Sequence, residues 1–139
     1  MLLYLKINEM ITEDYVSFET AKLLKEKGFN EECFALYNPD GILIQSGIRL
    51  NNIQVGRVKG SYSASTLQMA MKWLREVHNL SVEIYRTACG YIGCIVTIPS
   101  GTDIKFLEED GDDLPSGTYT KWEYACEAAI RYCLEHLVK

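Results

Sequence analysis

The stretch that decides the fold is the last one, Tyr119–Lys139, which reads YTKWEYACEAAIRYCLEHLVK. Its apolar residues recur at three- and four-residue steps, which predicts an amphipathic helix. The expected buried stripe contains Ala125, Cys126, Ala129, Ile130, Cys133 and Leu137. Small residues on this stripe allow a close, flat partner, and a β-sheet is the natural one. Glu127, Arg131 and Glu135 are expected on the solvent side, paired at four-residue spacing.

The start of this helix carries a capping signature. Thr120 followed by Glu123 suits a capping box, in which each side chain accepts a hydrogen bond from the other residue's backbone N–H. Tyr119 and Tyr124 can pack across the cap as a hydrophobic staple. We therefore expect Thr120 to be the N-cap residue.

Two more helices are predicted upstream. Ser17 can cap a helix that ends at Gly28, a residue suited to the left-handed position after a helix. Ser65 and Gln68 offer a capping box for a second helix, which Asn79 is expected to end. The predicted buried stripe of that helix contains Leu67, Ala70, Met71, Leu74 and Val77.

A β-hairpin is predicted between these helices. The sequence Asn38–Gly41, NPDG, suits a type I turn with a bulge. It joins Cys33–Tyr37 to Ile42–Ser46, two apolar runs typical of strands. Residues 47–62 are rich in Gly, Asn and Ser and are expected to form a loop, with a short extended piece near Ile53–Val58.

Strands are also predicted in the second half of the chain. Residues 80–86, LSVEIYR, alternate between apolar and polar side chains, as a half-buried strand does. Residues 91–99, YIGCIVTIP, are almost entirely apolar, which favours a central strand. Ile104–Leu107 is expected to add an edge strand.

The predicted fold class is therefore α+β. An antiparallel sheet of two or three strands is flanked by helices in an α-β-β-β-α unit, preceded by a helix plus a β-hairpin. At 139 residues the chain fits a single domain. Within it, residues 10–62 form a helix-plus-hairpin subunit and residues 63–139 a helix-sheet-helix subunit.

Charge and cysteine content limit the cellular compartments and the classes of partner that fit this chain. The formal net charge of −5 argues against broad binding to a phosphate backbone. The five cysteines show no C-x-x-C spacing, and the chain has neither a recognisable signal peptide nor a long apolar run. We therefore expect a cytoplasmic protein with free thiols that makes no membrane contact.

Few residues suggest a functional site. The sequence holds no Walker loop, no G-x-G-x-x-G and no G-x-S-x-G, so we predict a protein without catalysis, cofactor or metal. The candidate binding residues are an acidic run and two aromatic residues: Glu108, Glu109, Asp110, Asp112, Asp113, Tyr91 and Trp122. The carboxylates are adjacent and lack the alternating spacing of a calcium loop, so a protein-binding surface is favoured over an ion site.

Two stretches carry a resemblance to other proteins. SFETAKLLKEKGF, Ser17–Phe29, and TLQMAMKWLREVHNL, Thr66–Leu80, together with the closing helix, resemble short uncharacterised proteins of gut Bacteroides-type genomes and their prophages and mobile elements. The likeness runs from Ile11 onward and brings no activity with it. It implies a bacterial or phage protein and suggests that residues 1–9 are an extra leader.

The topology is also similar to that of double-stranded RNA-binding domains. Those domains present a lysine cluster at the start of the last helix, where this chain has Lys121 alone. The turn Thr87–Gly90 also lacks their Gly-Pro-x-His, so the phosphate-contacting residues are missing. The runs Gly90–Pro99 and Gly117–Glu135 look like the sheet and helix of HicB-type antitoxins, separated here by a longer acidic insertion.

These observations favour an accessory protein of a phage or mobile element that acts by binding another protein. A carboxylate-rich surface would steer towards a basic partner. The alternatives are a nucleic-acid-binding module similar in topology to double-stranded RNA-binding domains, a HicB-like antitoxin, or a small-molecule pocket or hydrolase site between the N-terminal unit and the sheet. The sequence leaves the oligomeric state open, with a homodimer as one alternative.

Overall fold

The computed structural model describes residues 11–98, 101, 103–107 and 118–139, and for residues 103–107 only the backbone. The helices are α1 (Phe18–Glu26), α2 (Asn52–Val55), α3 (Leu67–His78) and α4 (Trp122–Tyr132), and a π-helical turn (Cys133–Leu137) follows α4. The strands are β1 (Cys33–Tyr37), β2 (Leu43–Leu50), β3 (Tyr62–Ser63), β4 (Leu80–Thr87), β5 (Gly90–Thr97) and β6 (Asp103–Leu107). The predicted α+β fold with small antiparallel sheets flanked by helices is confirmed.

The strands form two separate three-stranded sheets. The first has the order β2-β1-β3 and the second β4-β5-β6, with antiparallel pairing throughout. The nearly continuous apolar strand β5 is central in its sheet, as its sequence indicates, because it has a neighbour on each side. One buried cluster joins the two halves of the chain and includes Leu24, Leu74, Ile95 and Ile130.

Helix α4 covers the second sheet with its small residues. The predicted stripe is confirmed at five positions, which are fully buried: Ala125, Cys126, Ala129, Ile130 and Cys133. Gly93 of β5 lies directly beneath, so that a Cβ added there would sit 3.7 Å from Ala129 Cβ. Leu137 is only partly buried, in the π-helical turn.

The predicted cap of this helix is wrong. Helix α4 begins at Trp122, and its N-cap residue Lys121 makes no side-chain capping bond. Tyr119 is instead held by Tyr91, and the two residues exchange backbone hydrogen bonds of 2.7 and 2.8 Å. This bridge keeps the chain extended up to Tyr119, so the helix starts later than the Thr120 cap requires.

The expected solvent position of Glu127 is also wrong. Its Oε1 accepts hydrogen bonds from the Ser17 hydroxyl and the Thr20 hydroxyl, both at 2.5 Å, and from the Ser17 backbone N–H at 3.1 Å. Ser17 is at the same time the N-cap of α1, as predicted, and accepts from Thr20 N–H. Glu127 therefore fastens the start of α1 to the middle of α4.

Helix α3 differs from its prediction at the cap and at one face. Thr66 is its N-cap residue in place of Ser65, whose hydroxyl donates to the Thr66 carbonyl. Val77 is exposed, because the buried face turns towards Trp73. The Trp73 ring packs edge-on against Phe29 at 5.4 Å between centroids. Asn79 ends the helix in the left-handed conformation, as predicted.

The segment after the hairpin contains a helical turn, so the extended piece predicted near Ile53–Val58 is wrong. Asn51 and Gln54 form a reciprocal capping box that starts α2. The buried Asn52 donates to the Phe29 carbonyl and accepts from Ser63 N–H, both at 2.8 Å. These local and tertiary bonds outweigh the extended preference of the Ile and Val residues.

Candidate functional site

The sequence-predicted site lies only partly within the described residues. Its acidic run, Glu108, Glu109, Asp110, Asp112 and Asp113, lies outside them. Tyr91 is at the start of β5, where the Arg86 guanidinium lies 4.9 Å from the centre of its ring. Trp122 lines a cavity of about 310 Å³ together with Leu67, Gln68 and residues 11–14. The two aromatic residues therefore have different neighbours.

A second surface, which the sequence did not single out, lies on the β1–β2 hairpin. Five large apolar side chains are exposed there, and we call them the hairpin surface: Phe34, Ile42, Leu43, Ile44 and Ile48. Their exposed fractions run from 39% for Leu43 to 62% for Ile48. Large exposed apolar patches mark interaction sites in soluble proteins.

The strand pairing explains why these side chains are exposed. Paired residues of neighbouring strands share a face, so Leu43 lies on the face of Tyr37, and Ile44 on the face of Leu36. The face of Tyr37 meets α1, since the Phe18 ring packs edge-on against Tyr37 at 5.7 Å. Strand β2 extends beyond that cover, and both of its faces are largely exposed.

Strand β2 is also an open edge. It pairs with β1 alone, and among the described residues no backbone hydrogen bond joins it to any other segment. Between Gln45 and Leu50 it bulges, so that residues 46–49 face the single residue Phe34. Gly47 takes a φ of +74° at this bulge, which a glycine adopts readily.

A groove lies at the base of the hairpin. Its volume is about 380 Å³, and its lining residues are Glu13, Tyr15, Glu32, Cys33, Phe34, Arg49, Ala64, Thr66 and Met69. The Arg49 guanidinium carbon lies 5.2 Å from the centre of the Phe34 ring. The lining of this groove mixes apolar side chains with three charged ones, and binding grooves also combine apolar walls with a few polar groups.

Charges of both signs lie around the hairpin, since Asp40 is in its turn, Glu13 and Glu32 line the groove, and Arg49 lies in β2. Residues 41–75 contain five cationic side chains, Arg49, Arg57, Lys59, Lys72 and Arg75, whereas all nineteen Asp and Glu residues lie elsewhere. The ion pairs among the described residues are those of Glu135 with Arg131 and with His136. None of the five cations is therefore neutralised by a described carboxylate.

The titratable groups near the groove do not form a reactive constellation. Burial, with a smaller contribution from the Glu31 carboxylate, raises the pKa of the Cys33 thiol to about 11. A thiol with such a pKa is protonated at neutral pH and is a poor nucleophile. Within the part of the chain that the structure describes, no three His, Cys, Asp or Glu side chains are placed to hold a metal ion.

The two histidines have packing partners. The His78 ring lies 4.6 Å from the Trp73 ring, and the His136 ring lies 4.7 Å from that of Tyr132. Neither lies among the residues that line the groove.

Comparisons with known proteins add no family or function. The chain matches no protein-family model, no curated protein and no solved structure. None of the helices in the described ranges is long and apolar enough to cross a membrane.

Proposed function

We propose that this protein acts as a binding module for another protein and that the hairpin surface makes the contact. The observation that carries the proposal is the open, apolar edge strand β2. Monomeric proteins normally protect such an edge with charges, prolines, bulges or a covering element. Strand β2 has a bulge at Gly47 and one charged residue, Arg49, near its end, whereas residues 41–46, GILIQS, contain no charged residue and no proline. A partner that covers this edge would bury apolar side chains that are now exposed.

The proposal keeps the sequence-based hypothesis of an accessory protein without chemistry of its own. Its origin in a phage or mobile element, and an antitoxin-like action, stay predictions from resemblance. The acidic run with Tyr91 and Trp122 also stays a predicted contact. The proposal adds to it a second surface with described geometry.

Nucleic-acid binding is the alternative that one observation favours, namely the five unneutralised cations of residues 41–75. A single-strand binding surface combines cations with aromatic side chains that stack on bases. The hairpin surface has one aromatic residue, Phe34, and four aliphatic ones. Aliphatic side chains have no stacking role, so protein binding is the better match.

The test is a comparison of partners captured by three forms of the protein. A double variant, Ile44→Lys and Ile48→Lys, places charges on the hairpin surface. The control, Tyr124→Lys, places a charge at an exposed aromatic residue of α4. We expect the wild type and the control to capture the same protein from a lysate of the source organism, and the double variant to lose it.

The captured protein is then purified and its affinity measured by calorimetry. A loss of about 100-fold in affinity is expected for the double variant, because charges buried at an interface core without partners are strongly unfavourable. Equal affinity of the double variant and the wild type would contradict the proposal. Circular dichroism and urea unfolding of both variants confirm that the fold is kept.

A further inference from the structure

We infer that two copies of the free protein associate through the outer edges of β2, which pair antiparallel about a two-fold axis. The inference goes beyond the proposed function, because it concerns how this edge is covered when no other protein is bound. It is supported by the backbone groups of β2, by two exposed charges at its ends and by the small size of the opposite edge of the sheet.

The backbone groups of β2 alternate between the side of β1 and the open side. Next to the hairpin turn, Asn38 N–H donates to the Ile42 carbonyl at 3.1 Å. Because these groups alternate along an antiparallel strand, Ile42 and Ile44 direct theirs towards β1, whereas Leu43 and Gln45 direct theirs outward. Among the described residues, no backbone hydrogen bond joins the open side of β2 to another segment. The open side therefore offers a short, regular ladder centred on Ile44.

A second β2 strand fits this ladder. In antiparallel pairing centred on Ile44, Leu43 of each copy would exchange backbone hydrogen bonds with Gln45 of the second copy. The two Ile44 side chains would lie directly opposite one another, where side chains of neighbouring strands come into contact. Since Ile44 is exposed in the single copy, this contact would remove apolar surface from water.

The charges at the two ends of β2 are complementary to this arrangement. Asp40 lies in the turn before β2, and Arg49 lies near the end of β2. Both are exposed, and neither forms an ion pair with a described residue. Antiparallel pairing puts Asp40 of each copy at the end where Arg49 of the second copy lies, so opposite charges meet at both ends. Parallel pairing would instead bring like charges together.

The opposite edge of the sheet limits the assembly to two copies. The sheet has the order β2-β1-β3, and its other outer strand, β3, has only two residues, Tyr62 and Ser63. So short a strand offers little to a further copy. A two-fold contact uses the same surface of both copies and closes on itself, so we expect a dimer and not a chain of molecules.

The contact would be small and reversible. Strand β2 is regular only as far as Gln45, because a bulge follows at residues 46–49. Interfaces well below the usual total of about 1,600 Å² are typical of weak, transient association, so we expect a dissociation constant in the micromolar range. A protein that binds the hairpin surface more tightly would displace the second copy. The dimer would thus cover the apolar edge only until that protein binds.

Sedimentation velocity of the full-length protein, from micromolar to millimolar concentration, tests the inference. Asp40→Arg and Arg49→Asp each place like charges at both ends of the pairing and should weaken the dimer at least about tenfold. Mixing these two variants restores opposite charges at both ends, so the mixture should form a heterodimer with nearly wild-type affinity. Lys22→Asp, which reverses an exposed charge on α1, is the matched control and should dimerise as the wild type does. Circular dichroism checks that each variant is folded.

Three results would overturn the inference. A wild type that stays monomeric at millimolar concentration would exclude the dimer, and the capture experiment would still decide the proposed function. A dimer that persists unchanged in Asp40→Arg, Arg49→Asp and Ile44→Lys would place the contact on another surface. A mixture of the two charge variants that dimerises no better than either alone would reject the antiparallel pairing. The expected dimer, found together with a failure to capture any other protein, would support the inference and contradict the proposed function.

Discussion

Strands β2 and β5 are equally long and both contain apolar residues, yet their environments are opposite. Each has eight residues. Strand β5 has a neighbour on both sides and lies under α4, and its Ile95 is fully buried. Among the described residues, strand β2 has one neighbour, and its Ile48 is exposed by 62%. Apolar sequence alone therefore does not decide burial, and the uncovered strand is the one for which we propose a binding role.

The largest expected effect comes from shortening the same residue type in the two strands. Ile95→Ala should lower the free energy of unfolding by about 3 kcal/mol, because it leaves a cavity in a packed core. Ile48→Ala should change it by no more than about 0.5 kcal/mol, since the side chain is mostly in water. Urea unfolding monitored by tryptophan fluorescence measures both.

The same two variants also test whether β2 is exposed where β5 belongs to the core. If Ile48→Ala destabilised the isolated protein as much as Ile95→Ala does, the hairpin surface would be part of the core, and the proposal of a binding surface would fail. Equal m-values for the two variants would show that the same transition is being measured.

A smaller effect is expected from removing the hydrogen bonds of Glu127, which hold α1 and α4 together. Glu127→Ala removes the shared acceptor of Ser17 and Thr20 and should cost about 2 kcal/mol, as hydrogen bonds to a charged group do. Glu123→Ala, in the same helix, removes no described tertiary hydrogen bond and serves as the control. A loss of stability equal in both variants would show that the effect comes from helix propensity and not from the link between α1 and α4.

The smallest effect is a pH dependence that belongs to the covered side of the molecule. Burial, the largest cause for both thiols, raises the pKa of Cys126 and of Cys133 from 9.0 to about 12. The folded protein therefore keeps two protons that the unfolded chain releases above pH 9. Stability is complete below about pH 8 and falls as the pH rises towards 12, by about 0.4 kcal/mol for each thiol at pH 9.

Replacement of the cysteines isolates this contribution. The double variant Cys126→Ala and Cys133→Ala should show a shallower loss of stability between pH 8 and pH 10 than the wild type. Cys89→Ala, at an exposed position, should keep the wild-type slope. Identical slopes in all three proteins would mean that the buried thiols do not contribute to the alkaline loss.

Much of the fold could be predicted because the signals are local. Ser17, Gly28 and Asn79 mark helix ends through bonds and dihedral angles within a few residues. The period of the apolar residues identified α4, and the turn Asn38–Gly41 identified the hairpin. The same local reasoning failed at two helix caps. Ser65 is replaced as N-cap by the neighbouring Thr66. Thr120 is not a cap because the pairing of Tyr119 with Tyr91 of a distant strand sets the start of the helix.

The sequence by itself determined the α+β class, the helix periods and the strand character of β5, because these follow from patterns within single elements. Only the tertiary structure decided that Glu127 joins two helices and that none of the described segments covers the outer edge of β2. A strand with apolar residues on both faces reads alike whether it is central or at an edge, since the number of its neighbours is not written in its own residues. The candidate binding surface depends on the number of strands that pair with β2, and only the folded structure shows that number.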